Sequence, residues 1–221
     1  MEQYEETQQQ VVELSQALVA KGFLMGTGGN ISVRIPGQAA ALAITPSNFD
    51  YTQMTAGDVC VLDGDLRLLA GARKPSIESG MHAAVYALRP DARVVVHTHQ
   101  VTASAVALLG RPIPALFDEQ VRFLGRSVEL VAYAPSGTGW LKSRLAARLK
   151  NHCNAYILQN HGALVLADTP ERALHNVELL EKCAAAFLLA YYTGERLTRI
   201  PAPIREIIFA KLRKDQKSEE L

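Results

Sequence analysis

The sequence predicts an α/β protein built on a largely antiparallel sheet with helices on both faces. Two strand–turn–strand signals carry this reading. Residues 31–35 alternate as a strand, turn at Pro36-Gly37 and return over 41–44; residues 59–62 turn at Asp63-Gly64-Asp65 and return over 66–69. Hairpins of this kind mixed with helical segments argue against a purely parallel, doubly wound sheet. The third observation is uniformity: no internal repeat, no low-complexity linker and no shift in composition along 221 residues, a length that suits one well-buried core. The expected organisation is a single domain over 1–221.

The elements follow in order. Val11, Leu14 and Leu18 recur at helical spacing within residues 5–21, and Gly22 supplies a C-cap. After Gly26-Thr27-Gly28-Gly29-Asn30 come the two hairpins. Residues 79–88 carry Met81, Val85 and Leu88 on one helical face and end before Arg89-Pro90, which places Glu78 at a helix N-terminus. Val94-Val95-Val96 is a continuous apolar run that reads as a buried strand delivering His97 and His99 at its end. A strand over 128–133, a helix over 140–150 and a strand pair over 155–167, broken at His161-Gly162, come next. Asp168-Thr169-Pro170-Glu171 then opens the longest helix, running to about Tyr192 before Gly194. From Arg205 onward the chain is charged and is expected to fray as a tail over 205–221.

Bulk properties exclude several classes. Lys plus Arg is 23 against 22 for Asp plus Glu, so the net charge of +1 provides no field to recruit nucleic acid or an anionic membrane. No apolar run approaches the roughly 18 residues of a membrane span. The N-terminal Met1-Glu2-Gln3-Tyr4-Glu5-Glu6 is acidic where a signal peptide is basic and then apolar, so a soluble, cytoplasmic protein is expected. Cys60, Cys153 and Cys183 are odd in number and far apart, suiting buried small hydrophobes better than disulfides or a cysteine metal site.

The chemistry concentrates in His97-Thr98-His99, Asn160-His161-Gly162 and Lys74-Pro75-Ser76-Ile77-Glu78. Side chains two apart on a strand share a face, so His97 and His99 can present two neutral nitrogens to one divalent cation. Two such histidines would be an expensive way to fill a core. A third histidine and a carboxylate give the ligand set of an open, catalytic metal site. The glycine-rich loop at 26–30 follows a helix and precedes a strand, the reverse of a dinucleotide fingerprint; it reads as a turn or as a nest of N–H groups for an anion. His82, His152 and His175 stand isolated and read as structural.

With these residues assembled, the chain resembles the class II aldolase and adducin-head family, nearest its fuculose-1-phosphate aldolase branch. The similarity runs from the first helix to about Tyr192 and rests on Gly26-Thr27-Gly28-Gly29-Asn30-Ile31-Ser32, Ile44-Thr45-Pro46-Ser47, residues 74–78, residues 81–86, His97-Thr98-His99, Ile113-Pro114-Ala115, Tyr133-Ala134 with Gly137-Thr138, and Gln159-Asn160-His161-Gly162. The resemblance implies a three-layer α/β/α fold around a mixed, mostly antiparallel sheet, assembled as a homotetramer with active sites between subunits. It places zinc (or Mn2+ or Co2+), one ion per chain, on His97, His99 and His161, with Glu78 as acid/base and ligand of the empty metal. The phosphate cradle falls on Gly29, Asn30, Ser47, Asn48, Ser76 and Ile77.

Three positions depart from the pattern, and a tail tyrosine of the family is missing. Asn48 stands where aldolases commonly have glycine, Ile77 where they carry a second serine, and Asp118 where they supply a proton-donating tyrosine to the neighbouring subunit. The implied reaction is metal-assisted cleavage of a small ketose 1-phosphate to dihydroxyacetone phosphate and an aldehyde through a stabilised enediolate. The alternatives are a decarboxylase or dehydratase of the same family and, disfavoured by the full histidine set, a non-catalytic adducin-like module.

Overall fold

The structure, a computed structural model, describes residues 2–38 and 40–219. Met1, Ala39, Glu220 and Leu221, which belong to the expected N-terminal segment, first hairpin and tail, lie outside the described residues. The elements are α1 (Glu2–Ala20), β1 (Asn30–Arg34), β2 (Leu42–Ile44), β3 (Cys60–Leu62), β4 (Leu68–Ala70), α2 (Ser79–Leu88), β5 (Val94–Thr98), α3 (Val101–Leu109), α4 (Asp118–Phe123), β6 (Glu129–Val131), α5 (Gly139–Leu149), β7 (Ala155–Leu158), β8 (Gly162–Ala167), α6 (Pro170–Tyr192) and α7 (Ala202–Glu219). The strands form one sheet in the order β4-β3-β2-β1-β5-β8-β7-β6. Every neighbouring pair is antiparallel except β6 with β7, so the sheet is mixed and mostly antiparallel, as expected.

Strand alternation divides the core in two. Ile31, Val33, Val94, Val96, Ala163 and Val165 face one side and pack with residues of α1, α3 and α6. Leu42, Ile44, Val95, Leu164 and Leu166 face the other, packing with Met81, Val85 and Tyr86 of α2 and with Leu141, Leu145 and Leu149 of α5. The result is the three-layer α/β/α arrangement. Local signals set the helix ends: the Thr169 hydroxyl accepts from the Arg172 N–H at 3.1 Å with Pro170 in the first turn of α6, and the Thr138 hydroxyl caps α5. No helix among the described residues is long and apolar enough to cross a membrane.

Two expectations are corrected. From Arg205 to Glu219 the chain does not fray: α7 docks on α4, burying Phe209 and Leu212 against Ala115 and Val121. Arg122–Asp215 and Arg126–Glu206 ion pairs flank that contact, and the Gln216 amide donates to the His152 carbonyl and to Asn154 Oδ1. The tail is charged because only a narrow stripe of it meets the body. The other correction is one of omission, since α3 and α4 fall where the sequence shows no clear helical period.

Candidate active site

β5 is the centre of the sheet and the source of the site. It pairs with β1 and β8, and its register sets Asn30 opposite His97 and His97 opposite Leu164. His97 is fully buried on the α2 side of the sheet, and His99, just past the strand end, is exposed to the cleft. His161 arrives from the turn joining β7 to β8, where Asn160 takes the left-handed conformation (φ 54°) and the His161 N–H donates to the Leu158 carbonyl at 3.0 Å. The potential ligand atoms of His97, His99 and His161 lie within 4.8 Å of one another. Two glycines permit this approach: a Cβ on Gly162 would stand 2.4 Å from the Thr98 carbonyl oxygen and 2.8 Å from His99 Cδ2. One on Gly29 (φ 84°) would stand 2.5 Å from the His97 carbonyl oxygen.

The donor set fits a divalent cation. The His97 ring nitrogen Nδ1 lies 2.8 Å from the Ala163 carbonyl, which can only accept, so Nδ1 carries the proton and Nε2 faces inward as a bare lone pair. That lone pair sits 3.0 Å from His99 Nε2 and 3.3 Å from Glu78 Oε2. Burial first, and then the His161 imidazole, holds both His97 and His99 below the usual histidine range, so both are neutral and able to ligate. Glu78 Oε1, 3.5 Å from His161 Nε2, is buried and accepts no hydrogen bond from the described residues. Converging acceptors with an unsatisfied carboxylate oxygen are repulsive unless a cation or a proton stands among them.

Glu78 is the N-cap of α2, where the helix terminus favours a negative charge. Its backbone N–H donates to Ser76 Oγ at 3.2 Å. The strand direction of β2 continues past its end: Pro46 bridges Pro75, the Ser47 N–H donates to the Lys74 carbonyl, and the Ser76 N–H donates to the Thr45 carbonyl. This brings both serines to one rim. Gly29, Asn30, Ser47, Asn48, Ser76, Ile77 and Glu78 all line the same cleft of ≈ 270 Å³, together with His99 and His161. The Asn30 carboxamide is engaged at both ends, by Glu78 Oε2 and by His82. Asp118 is exposed at the start of α4 and does not line the cleft of its own chain; the resemblance assigns it to the neighbouring subunit's site.

Sequence reasoning missed several residues here. Tyr51 donates to the Gly29 carbonyl at 2.7 Å and so fixes the glycine loop from beneath. Ser136 reaches His161 Nε2 at 3.3 Å. His82, expected to be merely structural, is fully buried between Asn30 and Ser32 and is held neutral by desolvation, its pKa pulled down to about 3. Its spacing of four from Glu78 on a helix was the available signal.

Comparison with known proteins places the chain in a family. A profile described as Class II Aldolase and Adducin N-terminal domain matches residues 9–188. An L-fuculose phosphate aldolase of Escherichia coli O6:H1 is 36% identical over 174 residues, covering 77% of this chain and 79% of its own. A 5-deoxy-D-ribulose 1-phosphate aldolase of Bacillus thuringiensis serovar kurstaki is 32% identical over 187 residues, covering 85% and 86%. A solved L-fuculose 1-phosphate aldolase superposes with a TM-score of 0.87 at 31% identity, over 94% of this chain and 96% of that one. The chain therefore belongs to the class II aldolase and adducin N-terminal domain family and is, within it, a class II aldolase, a carbon–carbon lyase.

Proposed function

We propose that the protein cleaves a small ketose 1-phosphate, of the fuculose 1-phosphate or 5-deoxypentulose 1-phosphate kind, into dihydroxyacetone phosphate and an aldehyde. The observation that carries this reading is Glu78 Oε1, a buried carboxylate oxygen without a hydrogen bond among the described residues, set beside three imidazoles in a cleft whose rim offers hydroxyls. His97, His99 and His161 would hold a divalent ion, zinc in this proposal, which would supply Lewis-acid stabilisation of negative charge on the substrate's oxygens. Ser47, Ser76 and the backbone around Gly29 orient the phosphate. Glu78 moves the proton to or from carbon at Oε1, while its other oxygen stays fixed by Asn30. Ile77, 70% exposed at the rim, offers the phosphate no hydroxyl and gives the cleft an apolar edge.

Glu78→Gln retains the shape of the side chain and is expected to lower kcat by on the order of 10² or more. A kcat at the wild-type level removes Glu78 from proton transfer. The substrate is tested with a panel of five- and six-carbon ketose 1-phosphates, coupling released dihydroxyacetone phosphate to a dehydrogenase. A second reading rests on Asp118, which as a carboxylate lacks the phenol's proton and repels anionic aldehyde fragments. In that reading the enzyme decarboxylates a sugar-acid phosphate; release of carbon dioxide from carboxylate-bearing substrates, altered in Asp118→Asn, selects it over aldol cleavage.

The homotetramer belongs to the same proposal. Within the apolar stretch at 183–192, Cys183, Ala184 and Phe187 are buried in their own chain, but Leu189 (74% exposed) and Tyr192 (93%) remain outside, and so do Val101 and Leu108 of α3, the neighbour of α6. Light scattering is expected to report about four chains. A fully active monomer contradicts sites shared between subunits.

A further inference from the structure

We propose that His82 is a positioning residue, the middle member of a one-way chain of hydrogen bonds from Tyr86 through Ser32, His82 and Asn30 that fixes which oxygen of Glu78 carries the proton. This rests on the reading of Glu78 as the acid/base group. The chain exists because two periods coincide. Glu78, His82 and Tyr86 recur every four residues along α2, an advance of about 6 Å per step, while Asn30 and Ser32 recur every two along β1, about 6.6 Å per step. Helix stripe and strand face thus stay in step for two repeats.

The contacts run Tyr86 OH to Ser32 Oγ 2.7 Å, Ser32 Oγ to His82 Nδ1 2.6 Å, His82 Nε2 to Asn30 Oδ1 2.5 Å and Asn30 Nδ2 to Glu78 Oε2 2.8 Å. Their direction is forced from one end. An ionised carboxylate only accepts, so Asn30 turns its NH2 to Glu78 and its carbonyl to His82. The carbonyl also only accepts, so His82 carries its proton on Nε2. A neutral imidazole then has a bare Nδ1, to which the Ser32 hydroxyl donates, leaving the Ser32 oxygen to accept from Tyr86, whose hydroxyl stands closer to it (2.7 Å) than to its other acceptor, the Arg93 carbonyl (3.3 Å). Burial keeps His82 neutral and the Tyr86 phenol protonated, as this order requires. Oε2 is pinned and Oε1 is left toward His161. With the proton on Nδ1 instead, Asn30 would turn its carbonyl onto the carboxylate, and the base would be disabled or displaced.

The test uses the metal-loaded enzyme. His82→Gln keeps a donor where Nε2–H stood, whereas His82→Asn reaches only the Ser32 end. His82→Asn is expected to lower kcat by roughly tenfold or more, with KM and bound metal unchanged, and His82→Gln to recover most of it. In the Glu78→Gln background His82→Asn is expected to cost nothing further. Nitrogen NMR of the imidazole is expected to show the Nε2–H form, kept in Ser32→Ala because the Asn30 carbonyl still accepts from Nε2–H, but with Nδ1 no longer hydrogen-bonded; the fall in kcat of that variant also serves if His82→Asn does not fold. Equal losses from His82→Asn with and without Glu78, or an Nδ1–H ring in the wild type, overturn the proposal. A wild-type rate in Glu78→Gln alone overturns instead the reading on which it rests.

Discussion

Gly162→Ala adds one methyl group and is expected to disable the site. The new Cβ would lie 2.4 Å from the Thr98 carbonyl oxygen, 2.8 Å from His99 Cδ2 and 3.4 Å from His97 Cε1, where 3.4 Å begins ordinary contact. Restoring that separation from the carbonyl means moving β8 from β5, or the end of β5 with its histidines, by about 1 Å. The partner is backbone within a ladder and cannot rotate aside. A displacement of about 1 Å at a reacting centre costs on the order of 10² in rate, and here the same movement spreads the imidazoles that would hold the ion. The assay is elemental analysis together with kcat/KM, with Gly139→Ala as control, because a Cβ on Gly139 meets nothing within 4 Å. If Gly162→Ala binds metal and turns over within about twofold of wild type, a difference of only ~0.4 kcal/mol, the claim that this glycine sets the ligand spacing is wrong.

Four further outcomes follow from the same geometry. His97→Ala removes the buried member of the triad and is expected to leave little bound metal by elemental analysis; equal metal in variant and wild type sinks the ligand assignment. Ile77→Ser restores a hydroxyl at the rim and is expected to lower KM for the phosphorylated substrate about fivefold, from a gain of roughly 1 kcal/mol; an unchanged KM places the phosphate elsewhere. Arg89, fully buried, donates to both oxygens of Asp91, to the Cys153 carbonyl and to Asn154 Oδ1, so Arg89→Ala strands a buried carboxylate. A loss of about 3–5 kcal/mol in denaturant unfolding is expected, and a loss below about 1 kcal/mol refutes the role of this cross-link. Finally, His82 titrates near 6.5 when unfolded and about 3 when folded. In that window the unfolded chain binds the extra proton, so stability of the chelator-treated protein falls as pH drops below 6.5, by about 1.4 kcal/mol per pH unit for this group alone. His97 shifts in the same direction. A stability profile that stays flat on acidification means these rings are not buried neutral.

The readable parts of the fold are those whose own residues carry the period of their structure. β1 and β2 alternate, α6 opens with a threonine cap and proline, and Val94-Val95-Val96 is apolar on both sides because both faces of the central strand are covered. α3 escaped because VTASAVALL is small and apolar all round, with Ala103 and Val106 inside and Val101 and Leu108 outside, so no contrast marks its buried face. α4 is six residues long, less than two helical turns. α7 shows the opposite failure. Its composition is that of a solvated segment, and it is ordered by a partner distant in sequence: Phe209 and Leu212 have a place to go only once Ala115 and Val121 are assembled.

The same distinction separates the two layers of the site. His97 and His99 could be paired from the sequence because the spacing of two is a property of one strand, and Glu78 because a helix N-terminus has local signals. The chain behind Glu78 is a relation between a helix and a strand some fifty residues apart, so neither segment announces it. Ser32 alone is a small polar residue in a strand, and His82 alone is a buried histidine with a depressed pKa. Their meaning depends on β1 pairing with β5 in a register that puts Asn30 beside His97. A slip of one residue there would turn Asn30 and Ser32 toward α1 and Ile31 toward Glu78. The hydrophobic alternation of Ile31 and Val33 forbids that slip, since both are buried among α1, α3 and α6. The core pattern that makes β1 recognisable as a strand is therefore also what holds the polar chain in register with the Glu78 carboxylate.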